Sequence, residues 1–156
     1  IESVKVLREG KEAEVKDIVF GYRRSSLSRE IVTEVEFVFT EEEKRKIENR
    51  IKEIAELRRK KQPLISKGIG TCGSVFKNPE GFSAGELIEK SGLKGMKIGG
   101  AEVSRKHCNY FLTNPDAKSR DFIELIKVVR ETVIKKTGIV LDLEVKIIGK
   151  EKEVDI

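Results

Sequence analysis

The sequence predicts an α+β fold, and three observations predict it. Up to about residue 39, apolar and polar residues alternate with the period of half-buried strands. Two long stretches, opening at Thr40 and Ser119, carry apolar residues at helical spacing. Between and after them lie short β-forming runs broken by glycine and proline. The order is a β-rich first part and an α+β second part, with the boundary near Thr40.

The elements follow in turn. Val4 and Val6 alternate with polar neighbours in a first strand, which opens almost at Ile1 with no initiator Met, so the chain reads as starting inside a larger protein. Arg8-Glu9-Gly10-Lys11 has turn chemistry, and Ala13-Glu14-Val15 is the return arm. Residues 16 to 20 have no clear period, and residues 21 to 26 read as a polar loop. From Ile31 to Phe39, Ile31, Thr33, Val35, Phe37 and Phe39 share one strand face. Thr40 with Glu43 reads as a capping box. It opens a helix whose apolar stripe is Ile47, Ile51, Ile54 and Ala55, and which Pro63 ends. Ser83 with Glu86 is a second capping box, for a short helix carrying Leu87 and Ile88 that Gly92 closes. Met96 to Val103 and Asn109 to Thr113 are strands around Gly99-Gly100, and Asn114-Pro115 is a turn. The second long helix starts at Ser119, buries Phe122, Ile126, Val129 and Val133, and stops at Gly138. A last strand, Ile139 to Ile148, turns Leu141, Leu143, Val145 and Ile147 one way and Asp142, Glu144 and Lys146 the other.

The chain has 156 residues, 38% of them charged, and a net charge of +5. That length buries a real core in one domain or a little more. The Lys/Glu-rich balance, with Gln62 the only glutamine, leans towards a thermophilic source. Basic and acidic residues are mixed, with no long basic run and no zinc-finger spacing, so nothing supports a nucleic-acid role. A basic cleft for an anionic small molecule fits the charge equally well. Two cysteines are too few for a disulfide scaffold and point to a reducing compartment. No apolar run has the length of a membrane span.

The stretch from Gly68 to Pro79 is the least ordinary. Gly68, Gly70 and Gly73 loosen the backbone just before Ser74, and the β-formers Val75 and Phe76 follow it. A serine leaving such a loop at the mouth of a strand is placed to meet a substrate; a plain glycine-rich connector is the alternative. The loop lacks the Gly-Lys-Ser/Thr ending of a P-loop and the spacing of a dinucleotide fingerprint. Cys72 and His107 form a formal nucleophile–base pair, although cysteine is commonly a small buried hydrophobe. One histidine and two distant cysteines give no metal-ligand spacing. Arg23 and Arg24 suit bidentate binding of a carboxylate or phosphate, and Lys60, Lys61 and Lys67 flank the glycine loop.

Seven stretches carry a resemblance. They are residues 20–26 around Gly21-Tyr22-Arg23, Lys61-Gln62-Pro63, residues 73–79 from Gly73-Ser74 to Asn78-Pro79, residues 84–88, 92–100 and 103–107, and residues 144–149. In this order they resemble the UDP-N-acetylenolpyruvoylglucosamine reductase (UDP-N-acetylmuramate dehydrogenase) family of bacterial peptidoglycan precursor synthesis. Residues 66–69 depart from that family's usual Pro-Ser-Ala/Cys-Gly-Ser run. The compact spacing from Asn78-Pro79 to Ala84-Gly85-Glu86 resembles the family's shorter subclass.

The resemblance implies a C-terminal part of such an enzyme. Residues 1–39 are then the tail of a vanillyl-alcohol-oxidase-type FAD domain, 40–149 an α+β substrate-binding domain, and 150–156 a tail. The flavin-gripping N-terminal half is a partner that this chain lacks. The cofactor implied is FAD, with NADPH as co-substrate and UDP-N-acetylenolpyruvoylglucosamine as substrate. Catalysis falls to Arg23, Ser74 and Glu144: Ser74 as proton donor to C2, Arg23 and Glu144 as stabilisers of the developing charge. Tyr22, Lys61, Gln62, Lys77 and Asn78 are implied to bind substrate, and Gly73 and Lys146 to face the cofactor. A cytoplasmic enzyme, monomeric when intact, with no metal, membrane or nucleic-acid partner, is implied as well. Two rivals predict otherwise: a stand-alone domain that binds UDP-sugars or other anions without chemistry, and a basic module whose nucleic-acid binding falls with salt.

Overall fold

The computed structural model describes residues 1–63 and 65–148; Gly149 and the expected tail, 150–156, lie outside the described residues. The chain divides into two units, Ile1–Asn49 and Arg50–Ile156.

The first unit is built on a three-stranded antiparallel sheet ordered β2-β1-β5, with β1 Ser3–Arg8, β2 Lys11–Val15 and β5 Ile31–Glu36. Val4 and Val6 are buried because β1 is the central strand. The β1–β2 turn is Glu9-Gly10, both left-handed at φ 50° and 75°, the geometry that matches the twist of a two-residue hairpin. The expected face of Ile31, Thr33 and Val35 does not survive. The register slips between Lys5 and Val6, which face Glu34 and Val32. Thr33 is the extra residue of a bulge, so Val32 and Val35 share the face of Val4 and Val6 while Ile31 sides with Leu7. The strand also stops at Glu36, short of Phe39.

The polar loop expected over residues 21–26 is instead a small hairpin, β3 Phe20–Gly21 with β4 Arg24–Ser25. Tyr22 and Arg23 form its tip, and Arg23 takes a left-handed φ of 58°, which costs a non-glycine residue about 1–2 kcal/mol.

Helix α1 runs Lys44–Lys61, four residues after the expected capping box. Thr40 caps nothing; the Glu43 carbonyl accepts from Ile47 N, and the Glu42 carboxylate accepts from Glu43 N. That bond satisfies the N–H of the residue before the helix, not the first-turn N–H groups that a capping threonine would take. The stripe of Ile47, Ile51 and Ile54 is present but exposed, and α1 contains no buried residue.

The second unit holds the larger core. Helices α2 Ala84–Lys90 and α3 Ser119–Thr137 pack with a three-stranded antiparallel sheet: β6 Lys97–Ile98, β7 Ala101–Val103 and β8 Phe111–Thr113. Ser83 caps α2 by accepting from Glu86 N, and Gly138, at φ 73°, closes α3. The Asp121 carboxylate accepts from Lys118 N and from Gly100 N, both at 3.1 Å. Those two bonds tie the start of α3 to the β6–β7 turn and hold the carboxyl below its usual range. The expected stripe of α3 is buried at Ile126, Val129 and Val133, with Leu125 added one turn from Phe122.

The last expected strand, Ile139 to Ile148, forms no ladder. It makes one bridge, Leu143 with Phe76, and bends at Glu144 and Val145. Its partner is the short run that follows the glycine loop, which offers only a few backbone groups. Lys77 N donates to Asp142 O, and Glu144 N and Val145 N both aim at Val75 O, at 2.8 and 3.4 Å.

Phe111 is fully buried and packs edge-on with Phe76 and Phe122, at 6.1 and 5.6 Å between ring centroids. Phe111→Ala is expected to destabilise this unit by about 3–5 kcal/mol, read as a fall in the denaturant midpoint.

Candidate functional site

The glycine loop becomes structure through its pairing. Gly70 exchanges both backbone hydrogen bonds with Thr113, 2.9 Å each way. A Cβ there would stand 2.8 Å from the Thr113 hydroxyl, so any larger residue would force the Thr113 side chain to move. Gly73 turns the chain at φ 83° and has open space where a Cβ would point. Ser74 then bridges Tyr110, Val75 N donates to Asn109 O, and Val75 O receives Glu144 N. Ser74, Val75 and Phe76 therefore run between two segments, the Asn109-Tyr110 stretch on one side and Asp142 to Val145 on the other.

This arrangement brings together several residues singled out by sequence. Ser74 and Glu144 are both half-buried, and one carbonyl, Val75 O, links the residue after the serine to the glutamate. Among the described residues, no partner holds the Ser74 hydroxyl. Lys77 and Asn78 lie just downstream and are exposed. The Asn78 side chain accepts from Ala84 N at 3.0 Å and so helps to start α2. A cavity of about 470 Å³ opens beside the strand. Its walls include Thr71 and Cys72 from the loop, Phe122 and Ile123 from α3, and Val145 and Lys146 from the last segment.

Lys61 and Gln62 stand at the end of α1, where Gln62 accepts from Arg58 Nε at 3.3 Å. Lys106 Nζ donates to Arg59 O, tying that helix end to the turn that precedes Asn109. Tyr22 and Arg23 belong to the first unit, at the hairpin tip, with the guanidinium 6.0 Å from the Tyr22 ring centroid. Among the described residues, no cluster of three potential metal ligands occurs, and no helix is long and apolar enough to cross a membrane.

The formal Cys72–His107 pair is not formed: Cys72 is exposed, and no hydrogen bond joins the two. His107 Nδ1 accepts from Asn109 N at 3.3 Å, and its ring lies 4.8 Å from that of Tyr110. Burial pushes its pKa below the ordinary 6.5, so folding favours the neutral ring. The unfolded chain then binds the extra proton first. Stability is fully present above about 6.5 and declines as pH falls towards the lower folded value. Unfolding midpoints between pH 5 and 7.5 are expected to show that decline, and His107→Gln is expected to flatten it.

Residues 62–148 match the family model of the UDP-N-acetylenolpyruvoylglucosamine reductase C-terminal domain. The UDP-N-acetylenolpyruvoylglucosamine reductase of Exiguobacterium sibiricum is 46% identical over 138 residues, 87% of this chain and 44% of that protein. This chain belongs to the UDP-N-acetylenolpyruvoylglucosamine reductase family. The reductase of a Streptococcus pneumoniae strain is 40% identical over 157 residues, covering 97% of this chain and 51% of its own length. The crystal structure of the Thermus caldophilus UDP-N-acetylenolpyruvylglucosamine reductase (MurB) has a similar fold, with a TM-score of 0.77 at 35% identity. It covers 93% of this chain and 52% of that one. The chain thus spans about half the length of the reductases it matches. The family match takes in the strand that carries Ser74 and the segment that carries Glu144.

Proposed function

We propose that this chain is the substrate-reducing part of an FAD-dependent, NADPH-driven reductase that converts UDP-N-acetylenolpyruvoylglucosamine to UDP-N-acetylmuramate. One observation carries the reading: Ser74 and the Glu144 segment, far apart in sequence, are joined through Val75 O inside the region that matches the family. Residues 1–39 are assigned to the tail of the flavin domain and 40–149 to the substrate domain.

Gly73 offers an open backbone face and Lys146 stands exposed on the cavity wall, a pair suited to one edge of a flat, anionic flavin. When bound and reduced, a flavin there would supply a hydride to C3 of the enolpyruvyl ether. The electron pair of the double bond then moves towards C2 and the substrate carboxylate, giving an enolate. The proposed role of Arg23 is to neutralise that growing charge with a preorganised guanidinium. Ser74 gives its hydroxyl proton to C2 and is reprotonated from solvent; a weak acid suffices because an enolate carbon is strongly basic and the donor is held in place. Glu144 is assigned, with Arg23, to stabilise the developing charge. Tyr22, Lys61, Gln62, Lys77 and Asn78 are assigned to the nucleotide-sugar.

The complete protein is expected to carry flavin absorbance and to oxidise NADPH only when the enolpyruvyl substrate is present. The chain alone is expected to do neither, since the matched reductases extend well beyond it. NADPH oxidation without dependence on the substrate would overturn the assignment, as would stoichiometric flavin and turnover in the chain alone. The rival binding domain predicts affinity for UDP-sugars and no NADPH oxidation in any form.

A further inference from the structure

We infer that Asn109 is the positioning residue of this site, a side chain that stands in for a missing strand and sets Ser74 against Glu144. The inference rests on the catalytic reading above for its functional meaning, but its geometry is independent of it.

Ser74 bridges Tyr110, and Val75 N donates to the backbone carbonyl of Asn109. At Phe76 that pairing strand runs out, because the opposing chain folds into a turn in which Tyr110 N donates to His107 O. Phe76 would be left with a buried N–H and C=O and no backbone partner. The Asn109 carboxamide fills both places. Its Oδ1 accepts from Phe76 N at 2.9 Å, and its Nδ2 donates to Phe76 O at 2.8 Å. A carboxamide carries the same donor and acceptor as a peptide unit, and so extends the ladder by one rung.

Asn109 is 3% exposed, so both bonds are shielded from water and neither group has a solvent substitute. Asn109 is itself held, since its N–H donates to His107 Nδ1. On the opposite edge of the same short strand, Val75 O receives Glu144 N and Phe76 bridges Leu143. One side chain therefore fixes the strand on which Ser74 and the Glu144 segment are both registered. Neither Val75 nor Phe76, the two residues after Ser74, moves without breaking a bond to Asn109.

The test is Asn109→Asp, which keeps the size and one acceptor but turns a carboxylate oxygen towards Phe76 O. In the complete flavin-loaded protein, flavin reduction by NADPH is expected to stay within about twofold. Reoxidation by the enolpyruvyl substrate is expected to slow about 100-fold, the scale of an ångström-sized misplacement of a reacting group. In the full chain, hydrogen exchange at the Phe76 and Glu144 amides is expected to accelerate about five- to tenfold. Losses in both half-reactions that merely follow the loss of folded protein would overturn the inference, and so would no loss in either. If the wild-type protein proves to have no flavin-linked reductase activity, the catalytic reading fails and amide exchange decides alone. Acceleration at Phe76 and Glu144 then upholds the clamp, and unchanged exchange overturns it.

Discussion

Ser74→Ala is expected to leave the reduction of flavin by NADPH intact and to slow reduction of the enolpyruvyl substrate by about 10²- to 10⁴-fold, the usual contribution of a positioned proton donor. The selectivity follows from the chemistry. Hydride transfer from NADPH involves no proton at C2 of a substrate that has not yet bound. The loss is also separable from folding. Ser74 is half-buried, its backbone pairs with Tyr110 through groups that alanine keeps, and among the described residues no hydrogen bond depends on its hydroxyl. The variant should therefore unfold at the wild-type midpoint. Rapid mixing separates the half-reactions: anaerobic bleaching of the flavin by NADPH reports the first, and its return on addition of substrate reports the second. Equal slowing of both phases would rule out a proton-donor role and leave Ser74 as a structural residue of the loop.

How much of this was legible in the sequence depends on the range over which each signal acts. Local signals read well. The alternation of Val4 and Val6, the stripe of Ile126, Val129 and Val133, the Ser83 cap and the stop at Gly138 each depend on neighbours within a turn or a strand, and the structure keeps them. The α+β class follows from them. The failures are mostly non-local. The β1–β5 bulge is set by register against a strand some thirty residues away, and no period within Ile31 to Phe39 announces it. The hairpin at Phe20 to Ser25 has too few apolar residues to show a period, so it reads as a loop. The last strand alternates well in sequence, yet its partner is a single short run, and it makes one bridge and a bend. The Thr40 capping box is a local miss: the helix begins at Lys44, four residues later.

The candidate site shows the same division. Ser74 was visible as a serine leaving a glycine loop, and its meaning came from the resemblance. Glu144 on periodicity alone belonged to a polar strand face; only pairing with Val75 draws it towards the serine. The role of Asn109 was not legible. An asparagine next to a cysteine and a tyrosine reads as a strand start, and its work is done on backbone groups at Phe76, 33 residues away. A polar residue flanked by β-forming apolar residues was the only hint, since such a position is buried and must be satisfied.

Glu144 provides the second large effect. Glu144→Ala is expected to slow substrate reduction by about 10²- to 10³-fold, the loss typical of removing one donor to a developing oxyanion, again with NADPH-driven flavin reduction preserved. If the carboxyl group acts as a hydrogen-bond donor, Glu144→Gln is expected to fall less, by about tenfold, because the amide still donates at nearly the same place. The backbone argument makes the comparison clean. Glu144 N is held by Val75 O and the following N–H shares the same acceptor, so neither substitution alters the bonds that register the segment. The ordering of the two variants then reports what the carboxyl group does. A neutral donor ranks glutamine well above alanine, whereas a role that needs the negative charge is lost equally in both. Matched losses would therefore transfer the role from donation to charge.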